Sequence, residues 1–252
     1  MSISMHMVPV KLVTIEQTSI WLARGWADFT KTPMLSLLFG GVYPAFGLFL
    51  IVLLEANGLG SLIFLAASAF MLIGPLAAVC LYEVSRRLEA NEPLGVMPVL
   101  SAVKAKLNPI GDMGLVLMII TLSWFLIGFV LFALFYAGSP PSLERFVQNV
   151  VFDPQGLPFL IVGTAVGGVL ATLVFAISMF AMPMILDKDV TAMDAISFSV
   201  QAVWKNRLNM IGWAATIAAI TFIGIAMAFV GLLISLPVIA YASWHAYRDV
   251  AC

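Results

Sequence analysis

Five long stretches of this sequence contain no Asp, Glu, Lys or Arg, and they constrain its fold more than any other feature. The stretches cover residues 34–54, 56–82, 113–143, 154–186 and 208–247. Each is longer than the roughly 20 residues with which a helix crosses about 30 Å of hydrocarbon. Only 10% of all residues are charged, against roughly 25% in an average soluble domain. The sequence therefore predicts an all-α, polytopic helical membrane protein.

The uncharged stretches are predicted to form six transmembrane helices in three hairpins. The last stretch would measure about 60 Å as one helix, twice the hydrocarbon thickness, so it must turn back near residues 224–231. A β-barrel would show apolar and polar residues alternating in segments of about ten, and these stretches show no such alternation. The predicted spans are 34–54, 60–82, 113–136, 158–184, 208–226 and 229–247.

The basic residues predict an orientation for these spans. Eleven of the twelve Lys and Arg residues fall on one side of the six spans, and only Arg145 falls on the other. Because loops on the cytoplasmic side carry the excess of positive charge, both termini are predicted to be cytoplasmic. Residues 1–14 lack the pattern of a signal peptide and are interpreted as an N-terminal tail. Residues 15–252 are interpreted as a single integral membrane domain.

Three cytoplasmic segments have the periodicity of amphipathic helices that lie in the membrane plane. They cover residues 15–29, 94–107 and 191–207, and each precedes a predicted hairpin. The predicted apolar faces contain Ile15, Leu22, Trp26 and Phe29, then Val96, Leu100, Val103 and Leu107, then Met193, Ile196, Val200 and Trp204. Asp28 is placed on the opposite, polar face of the first segment. The chain therefore reads as three copies of one unit, at residues 15–82, 94–184 and 191–247, or as ordinary loops that are amphipathic at an interface.

Short motifs at both ends and near the middle of the chain resemble one known family. They are Gly25-Trp26-Ala27-Asp28-Phe29 with Pro33 and Gly40-Gly41-Val42-Tyr43, the stretch 183–190, and the closing stretch 237–248. Together they resemble bacterial integral membrane proteins of domain-of-unknown-function family 2189. The resemblance implies a six-helix protein of the bacterial inner membrane. It implies no established activity, so it transfers no catalytic residue.

Members of that family are sometimes labelled as similar to cytochrome c oxidase subunit I. That subunit ligates two haems and a copper through many histidines. This chain has only two histidines, His6 in the predicted tail and His245 at the end of the last predicted span. No haem, redox metal or other cofactor is therefore predicted.

Few side chains are candidates for chemistry. The sequence has no glycine-rich phosphate loop, no paired histidine motif and no cysteine-rich metal spacing. Asp187, Asp189 and Asp194 could form a cation site, but capping of the next helix by Asp189 or Thr191 is the better interpretation. Cys80 and Cys252 are predicted to be free thiols without a role.

Local spacing predicts several pairs and packing contacts. Glu83 has the i,i+3 and i,i+4 spacing of helix ion pairs with Arg86 and Arg87. His245 has the i,i+4 spacing with Asp249, where a pH-sensing role is the less ordinary reading. Three tryptophans, Trp26, Trp204 and Trp244, are assigned to an interfacial aromatic belt. Gly163 and Gly167 are expected to pack the fourth span against a neighbouring helix.

The sequence favours a non-catalytic membrane protein that binds lipid or a membrane-protein partner, in an assembly or accessory role. No basic patch indicates nucleic acid. A second hypothesis is a transporter or channel for an uncharged or hydrophobic solute, although no ionisable residue lies at mid-membrane depth. A third is an enzyme acting on lipid at the cytoplasmic face, with Asp28, Asp187 or His245 as candidates. Clustering of these three residues in one cleft would favour the enzyme.

Overall fold

The computed structural model describes residues 9–136, 154–227 and 229–251, and the described residues form helices and short connections without a strand. The α-helices are α1 Gln17–Lys31, α2 Pro33–Ala56, α3 Ile63–Leu72, α4 Gly74–Ala77, α5 Val79–Ala90, α6 Val96–Ala105, α7 Leu107–Phe135, α8 Leu157–Ser178, α9 Ala181–Asp187, α10 Ala192–Lys205, α11 Arg207–Ala226 and α12 Leu232–Ala251. Single 3-10 turns at Gly60–Leu62 and Pro154–Gly156 precede α3 and α8. The all-α prediction is confirmed.

Within the described residues, four helical segments are long and apolar enough to cross a membrane. They are Pro33–Ala56, Leu107–Phe135, Leu157–Asp187 and Arg207–Ala226, and each overlaps one predicted span. Helices of this kind satisfy their own backbone hydrogen bonds, as hydrocarbon requires. Multiple apolar spanning helices make the chain an integral membrane protein, as predicted.

The other two predicted spans are not among these four. Residues 60–82 are divided among α3, α4 and the first residues of α5, with breaks at Ile73 and Ala78. Residues 229–247 fall mostly in α12, a helix of 20 residues in which most side chains are buried by the protein itself. The count of six spans in three hairpins therefore stays a prediction.

The turn predicted near residues 224–231 lies between α11 and α12. A Cβ on Gly231 would lie 2.8 Å from the Cα of Gly224, so the two helices approach closely here. Only glycine accommodates this approach, because real Cβ atoms do not sit that near another backbone. The two glycines thus explain why the 40-residue uncharged stretch folds back at this point.

Helices α1, α6 and α10 occupy the three segments predicted to be amphipathic, and on α1 and α10 the buried face differs from the predicted apolar one. The buried residues are Trp21, Gly25 and Asp28 on α1, Val99 on α6, and Ala192, Ala195, Phe198, Ser199 and Ala202 on α10. Val99 lies beside the predicted apolar residues of α6. Asp28 lies on the face opposite the predicted apolar residues of α1, and that face is buried. The predicted apolar residues are largely exposed on the surface of the chain.

The same kind of junction connects each of these helices to the long apolar helix after it. One residue breaks the helix in each case: Thr32, Lys106 or Asn206. The backbone N–H four residues later donates to the carbonyl of the breaking residue. The three bonds run from Ser36 to Thr32 at 2.9 Å, from Ile110 to Lys106 at 3.1 Å and from Met210 to Asn206 at 2.9 Å. The shared geometry supports the predicted three-unit repeat, which stays a prediction.

Contacts divide the chain into two compact units. Unit 1 comprises Met1–Pro44, Pro75–Met113 and Phe175–Cys252, and unit 2 comprises Ala45–Gly74 and Gly114–Val174. Unit 2 is apolar inside: a Cβ on Gly167 would lie 3.3 Å from the Trp124 ring, and the Trp124 indole donates to Ser68 Oγ at 2.8 Å. The packing role predicted for Gly167 is thereby confirmed, whereas Gly163 faces open space.

Unit 1 contains α1, α5, α6, α9, α10, α11 and α12, together with part of the predicted tail. In that tail, the Lys11 N–H donates to the Val250 carbonyl at 2.9 Å, and the Val13 N–H donates to Asn206 Oδ1 at 2.9 Å. Residues 11–13 are therefore fixed against α12 and the junction before α11. Nearly all polar side chains that meet over long sequence distances also lie in unit 1, so the candidate site is sought there.

Candidate functional site

The site is built on the close packing of α1 against α12. A Cβ at Gly25 would lie 2.6 Å from the Val238 carbonyl oxygen and 2.7 Å from the Ala242 nitrogen. These are backbone atoms, so no side-chain rotation could relieve the overlap. Glycine thus lets α1 lie directly on α12 and brings polar side chains of the two helices within hydrogen-bonding distance.

Asp28 lies at the centre of the first polar group. Its side chain is buried, with the whole residue only 5% exposed. Ser85 Oγ on α5 donates to Asp28 Oδ2 at 2.5 Å, and His245 Nε2 on α12 lies 2.8 Å from the same oxygen. A buried carboxylate is tolerated only when it is paired and hydrogen-bonded. Asp28 therefore joins α1, α5 and α12 through one oxygen atom.

A chain of hydroxyl groups continues from this point along α1, α2 and α12. Thr32 Oγ1 donates to the Asp28 carbonyl at 2.9 Å and lies 3.3 Å from Ser36 Oγ. Ser36 Oγ in turn lies 2.8 Å from the Tyr241 hydroxyl. All three hydroxyl-bearing residues are buried. Each hydroxyl can both donate and accept, so the chain satisfies polar groups that would otherwise be costly in an apolar interior.

A second polar group surrounds Glu83, which is 1% exposed. Arg86 binds both of its carboxylate oxygens, at 2.8 and 2.9 Å, and Arg87 Nε binds Oε1 at 2.7 Å. Arg86 also donates to both carboxylate oxygens of Glu92, and Arg87 donates to the Pro93 and Pro98 carbonyls. The predicted i,i+3 and i,i+4 pairs are confirmed. They also fix the connection from α5 to α6.

These hydrogen bonds shift the acid–base equilibria of the group. Bonding to Glu83 and then to Glu92 raises the pKa of Arg86 above its ordinary value. Bonding from Arg86 holds the pKa of Glu92 below its ordinary value. Both shifts favour the charged forms, since each is hydrogen-bonded to an opposite charge. The group is thus an ion-pair network that connects α5 to the start of α6.

Asp187 belongs to a third polar group, at the end of α9. The Tyr247 hydroxyl donates to Asp187 Oδ2 at 2.8 Å, and Arg248 Nη1 lies 3.4 Å from the same oxygen. Arg248 Nε also donates to Glu89 Oε1 at 3.0 Å, and the Trp244 indole donates to Glu89 Oε2 at 2.9 Å. The group therefore ties α12 to both α5 and α9. Trp244 is fully buried within the protein here, and its predicted place near the cytoplasmic interface stays a prediction.

Asp249 forms a fourth group with α1. The Trp21 indole donates to Asp249 Oδ2 at 2.9 Å, and Arg24 Nη1 donates to Oδ1 at 3.2 Å. The i,i+4 pairing proposed for His245 and Asp249 is therefore wrong: His245 pairs with Asp28, and Asp249 pairs with α1. Two long-range contacts replaced one local contact because α1 lies along this face of α12.

Of the three enzyme candidates, the structure brings Asp28 and His245 together, while the described contacts of Asp187 belong to a separate group. Sequence reasoning missed Ser85, which carried no signal because its partner is 57 positions away. Ser85 bonds to the carboxylate and not to the imidazole. This differs from a nucleophile-activating arrangement, in which the histidine takes the hydroxyl proton. The geometry instead suits a fixed, buried hydrogen-bonded pair.

The acidic residues proposed as a cation site have separate partners. Asp189 Oδ1 lies 3.3 Å from Lys106 Nζ, while Asp194 and Thr191 form a capping box at the start of α10. The capping prediction is confirmed for Thr191. Among the described residues, His, Cys, Asp and Glu form no group of three or more that could hold a metal ion. Cys80 is a free thiol, and Cys252 lies outside the described residues.

A second candidate site is a surface, here called the outer stripes: the exposed apolar residues of α1, α6 and α10 and of the helix starts that follow them. Trp26 is 52% exposed and Trp204 is 72% exposed. The outer stripes also include Ile15, Met34, Val96, Met97, Leu100, Leu107, Met193, Val200 and Leu208. These exposed apolar side chains lie on segments that also carry basic residues. An exposed apolar patch of this kind marks an interaction surface.

Comparison with known proteins identifies the family of the central segment. Residues 63–187, about half of the chain, match the DUF2189 family, described as a predicted integral membrane protein. The resemblance inferred from the sequence is thereby confirmed. No curated protein and no solved structure matches the chain. The matched segment includes Ser85, the Glu83 group and Asp187, but neither Asp28 nor His245.

Proposed function

We propose that this protein is a non-catalytic membrane protein whose outer stripes bind membrane lipid at the cytoplasmic face of a bacterial inner membrane. The observation that carries the proposal is that α1, α6 and α10 each leave large apolar side chains exposed, among them Trp26 on α1, Met97 on α6 and Trp204 on α10. In water such exposure would be unfavourable, since each buried large apolar side chain contributes roughly 1.5–3 kcal/mol. At a bilayer interface the same side chains would be buried among acyl chains.

The polar groups of unit 1 support a structural role for the interior. Glu83, Asp28 and Asp187 all have described hydrogen-bond partners, and these partners connect α1, α5, α9 and α12. Such groups would hold the in-plane helices at a fixed angle to the apolar helices that follow them. Under this proposal the protein binds lipid, or a partner protein in the same membrane, and it changes neither of them chemically.

A lipid-acting enzyme is the second candidate, because Asp28 and His245 meet. The side chain of Asp28 is 8% exposed and that of His245 is 13% exposed, so neither presents a substantial surface to a substrate. The burial and the direct bond favour the structural role. The variant His245→Gln tests this candidate once its stability is matched to that of the native chain. If the variant retains the native growth phenotype or membrane function, the protein is not an enzyme that uses His245.

Quenching by brominated lipid tests the proposal directly. Purified protein would be reconstituted in vesicles of phosphatidylcholine with bromines on the upper acyl chain. Trp26 and Trp204 are expected to be quenched strongly, so the double variant Trp26→Phe/Trp204→Phe should lose most of the quenching. The matched control is Trp213→Phe/Trp244→Phe, which removes two fully buried indoles and should leave the quenching nearly unchanged.

Two outcomes would contradict the proposal. Quenching of Trp26 and Trp204 by aqueous iodide, without quenching by brominated lipid, would show that the outer stripes face water. Protection from both quenchers would show that protein covers them. Orientation is tested separately by reporter fusions at Asn57, Gln148 and the C-terminus. The proposal requires the first two reporters outside and the last inside.

A further inference from the structure

We propose that the outer stripes select acidic phospholipids, through basic residues at the three junctions. This inference rests on the proposed function and adds the chemical class of the lipid. The basic residues are Lys31, Lys104, Lys205 and Arg207, all exposed. Each lies within two residues of a junction residue, Thr32, Lys106 or Asn206.

The first step of the argument is that these four charges are available. Most basic residues on this side of the chain are committed within the protein: Arg24, Arg86, Arg87, Lys106, Lys188 and Arg248 all form ion pairs with carboxylates. Within residues 9–136, 154–227 and 229–251, the four junction bases form no such pair. Lys11 also forms no such pair within these residues, and its carbonyl accepts a hydrogen bond from Asn206 Nδ2 at 3.0 Å, so it lies beside the third junction.

The second step is that the four bases lie beside the outer stripes. Lys31 is flanked by the exposed Met34, and Lys205 follows the exposed Trp204 directly in the chain. Arg207 precedes Leu208, which is 76% exposed. In this arrangement the apolar residue enters the acyl chains, and the neighbouring base stays at the headgroups. The same arrangement lets proteins bind an acidic leaflet. Long basic side chains reach such headgroups while their stems remain in apolar surroundings.

The third step is that the arrangement recurs. All three junctions share the one-residue helix break and the returning hydrogen bond four residues later, and each has an exposed base within two residues of the break. The exposed acids nearby are Glu16 before α1, Asp112 on α7 and Asp189 before α10, and Asp189 is paired with Lys106. The surface therefore presents a base without a carboxylate partner at each of the three junctions, which complements phosphate headgroups.

The test compares brominated phosphatidylglycerol with brominated phosphatidylcholine as minor components in vesicles of unbrominated phosphatidylcholine. For the native chain, quenching of Trp26 and Trp204 should reach half its maximum at a severalfold lower mole fraction of phosphatidylglycerol. Each base near an acidic surface contributes about a fivefold preference, so the effect should be readily measured. High salt should reduce the preference, because the charges involved are exposed.

The variants separate this inference from the proposed function. Lys31→Gln/Lys104→Gln and Lys205→Gln/Arg207→Gln, made as two pairs to preserve folding, should each reduce the preference severalfold. Arg24→Gln is the matched control and should retain the preference, because Arg24 is already paired with Asp249 within the protein. Equal quenching by both lipids in the native chain, or full preference in both paired variants, would overturn the inference. In either case strong quenching by brominated phosphatidylcholine would leave the proposed function standing, and its absence would refute the proposed function itself.

Discussion

Removing the imidazole of His245 should destabilise the protein, and then removing the charge of Asp28 should restore part of the loss. His245→Leu would leave the buried carboxylate with Ser85 as its described partner. His245 Nε2 lies 2.8 Å from Asp28 Oδ2, and losing a hydrogen bond to a buried charged group costs about 1.5–3 kcal/mol. A protein of this size loses about 2–4 °C of unfolding midpoint per kcal/mol. The expected fall is therefore about 3–12 °C.

The double variant Asp28→Asn/His245→Leu should be more stable than His245→Leu alone. An amide at position 28 still accepts the hydrogen bond from Ser85 and carries no charge to bury. Asp28→Asn alone should cost only about 1 kcal/mol, the difference between a charged and a neutral hydrogen bond. If the second substitution restores stability that the first removed, the loss came from an uncompensated charge. Two packing defects would instead add their losses of stability.

The assay is thermal unfolding of detergent-purified protein near pH 7, followed by the loss of the monodisperse size-exclusion peak. Glu16→Gln is the control, because Glu16 is an exposed carboxylate on α1's N-terminal side and should change stability by less than about 0.5 kcal/mol. If the double variant were no more stable than His245→Leu, the stability lost with His245 would not come from the buried Asp28 carboxylate, and the reasoning about the α1–α12 contact would fail.

Two further predictions concern packing and pH. Gly25→Ala should lower the free energy of unfolding by at least about 1–3 kcal/mol, because the new Cβ would meet backbone atoms of α12. Gly212 has open space at its Cβ, so Gly212→Ala should raise the free energy of unfolding by about 1 kcal/mol. The unfolding midpoint measures both changes. Equal effects of the two substitutions would contradict the packing described here. Hydrogen bonding from Arg86 lowers the pKa of Glu92 in the folded protein. The Glu92–Arg86 pair should therefore stabilise the protein fully above the unfolded-state pKa of about 4.5. This contribution should be lost as the pH falls through the lower pKa of Glu92 in the folded state. The stability difference between the native chain and Glu92→Gln should therefore shrink on acidification below that pH, and a constant difference would refute the assignment.

The sequence predicted features whose causes are local. Long uncharged stretches identified the four apolar helices, because the requirement to span hydrocarbon acts on consecutive residues. The Glu83 pairs and the Thr191 cap were also found, since their partners lie three or four positions away. The turn between α11 and α12 followed from chain length alone. In each case the physical determinant is contained within a few helical turns.

Contacts over long sequence distances were not predicted. Asp28 meets Ser85 and His245 across 57 and 217 positions, and no periodicity of α1 indicates such partners. The continuous apolar stretch at residues 60–82 also concealed the breaks between α3, α4 and α5, because hydropathy measures composition and not helix continuity. Gly74 and Pro75 within it were the available signal, since both residues weaken a helix interior.

The burial of Asp28 on the face opposite the predicted apolar residues has a more general physical cause. In a soluble protein the apolar face of a helix is buried, so hydrophobic periodicity identifies the inward side. Helices α1, α6 and α10 instead leave their predicted apolar residues largely exposed, and the buried residues of α1 and α10 combine small or polar ones, such as Gly25, Asp28 and Ala195, with the large Trp21 and Phe198. Where lipid is the surrounding solvent, apolar area gains nothing by choosing protein over acyl chains, and close packing and hydrogen bonds decide which face turns inward. Gly25 and Asp28 supply both on α1. The exposed apolar residues of three separate helices are therefore the physical argument that links the fold to the proposed lipid-facing role.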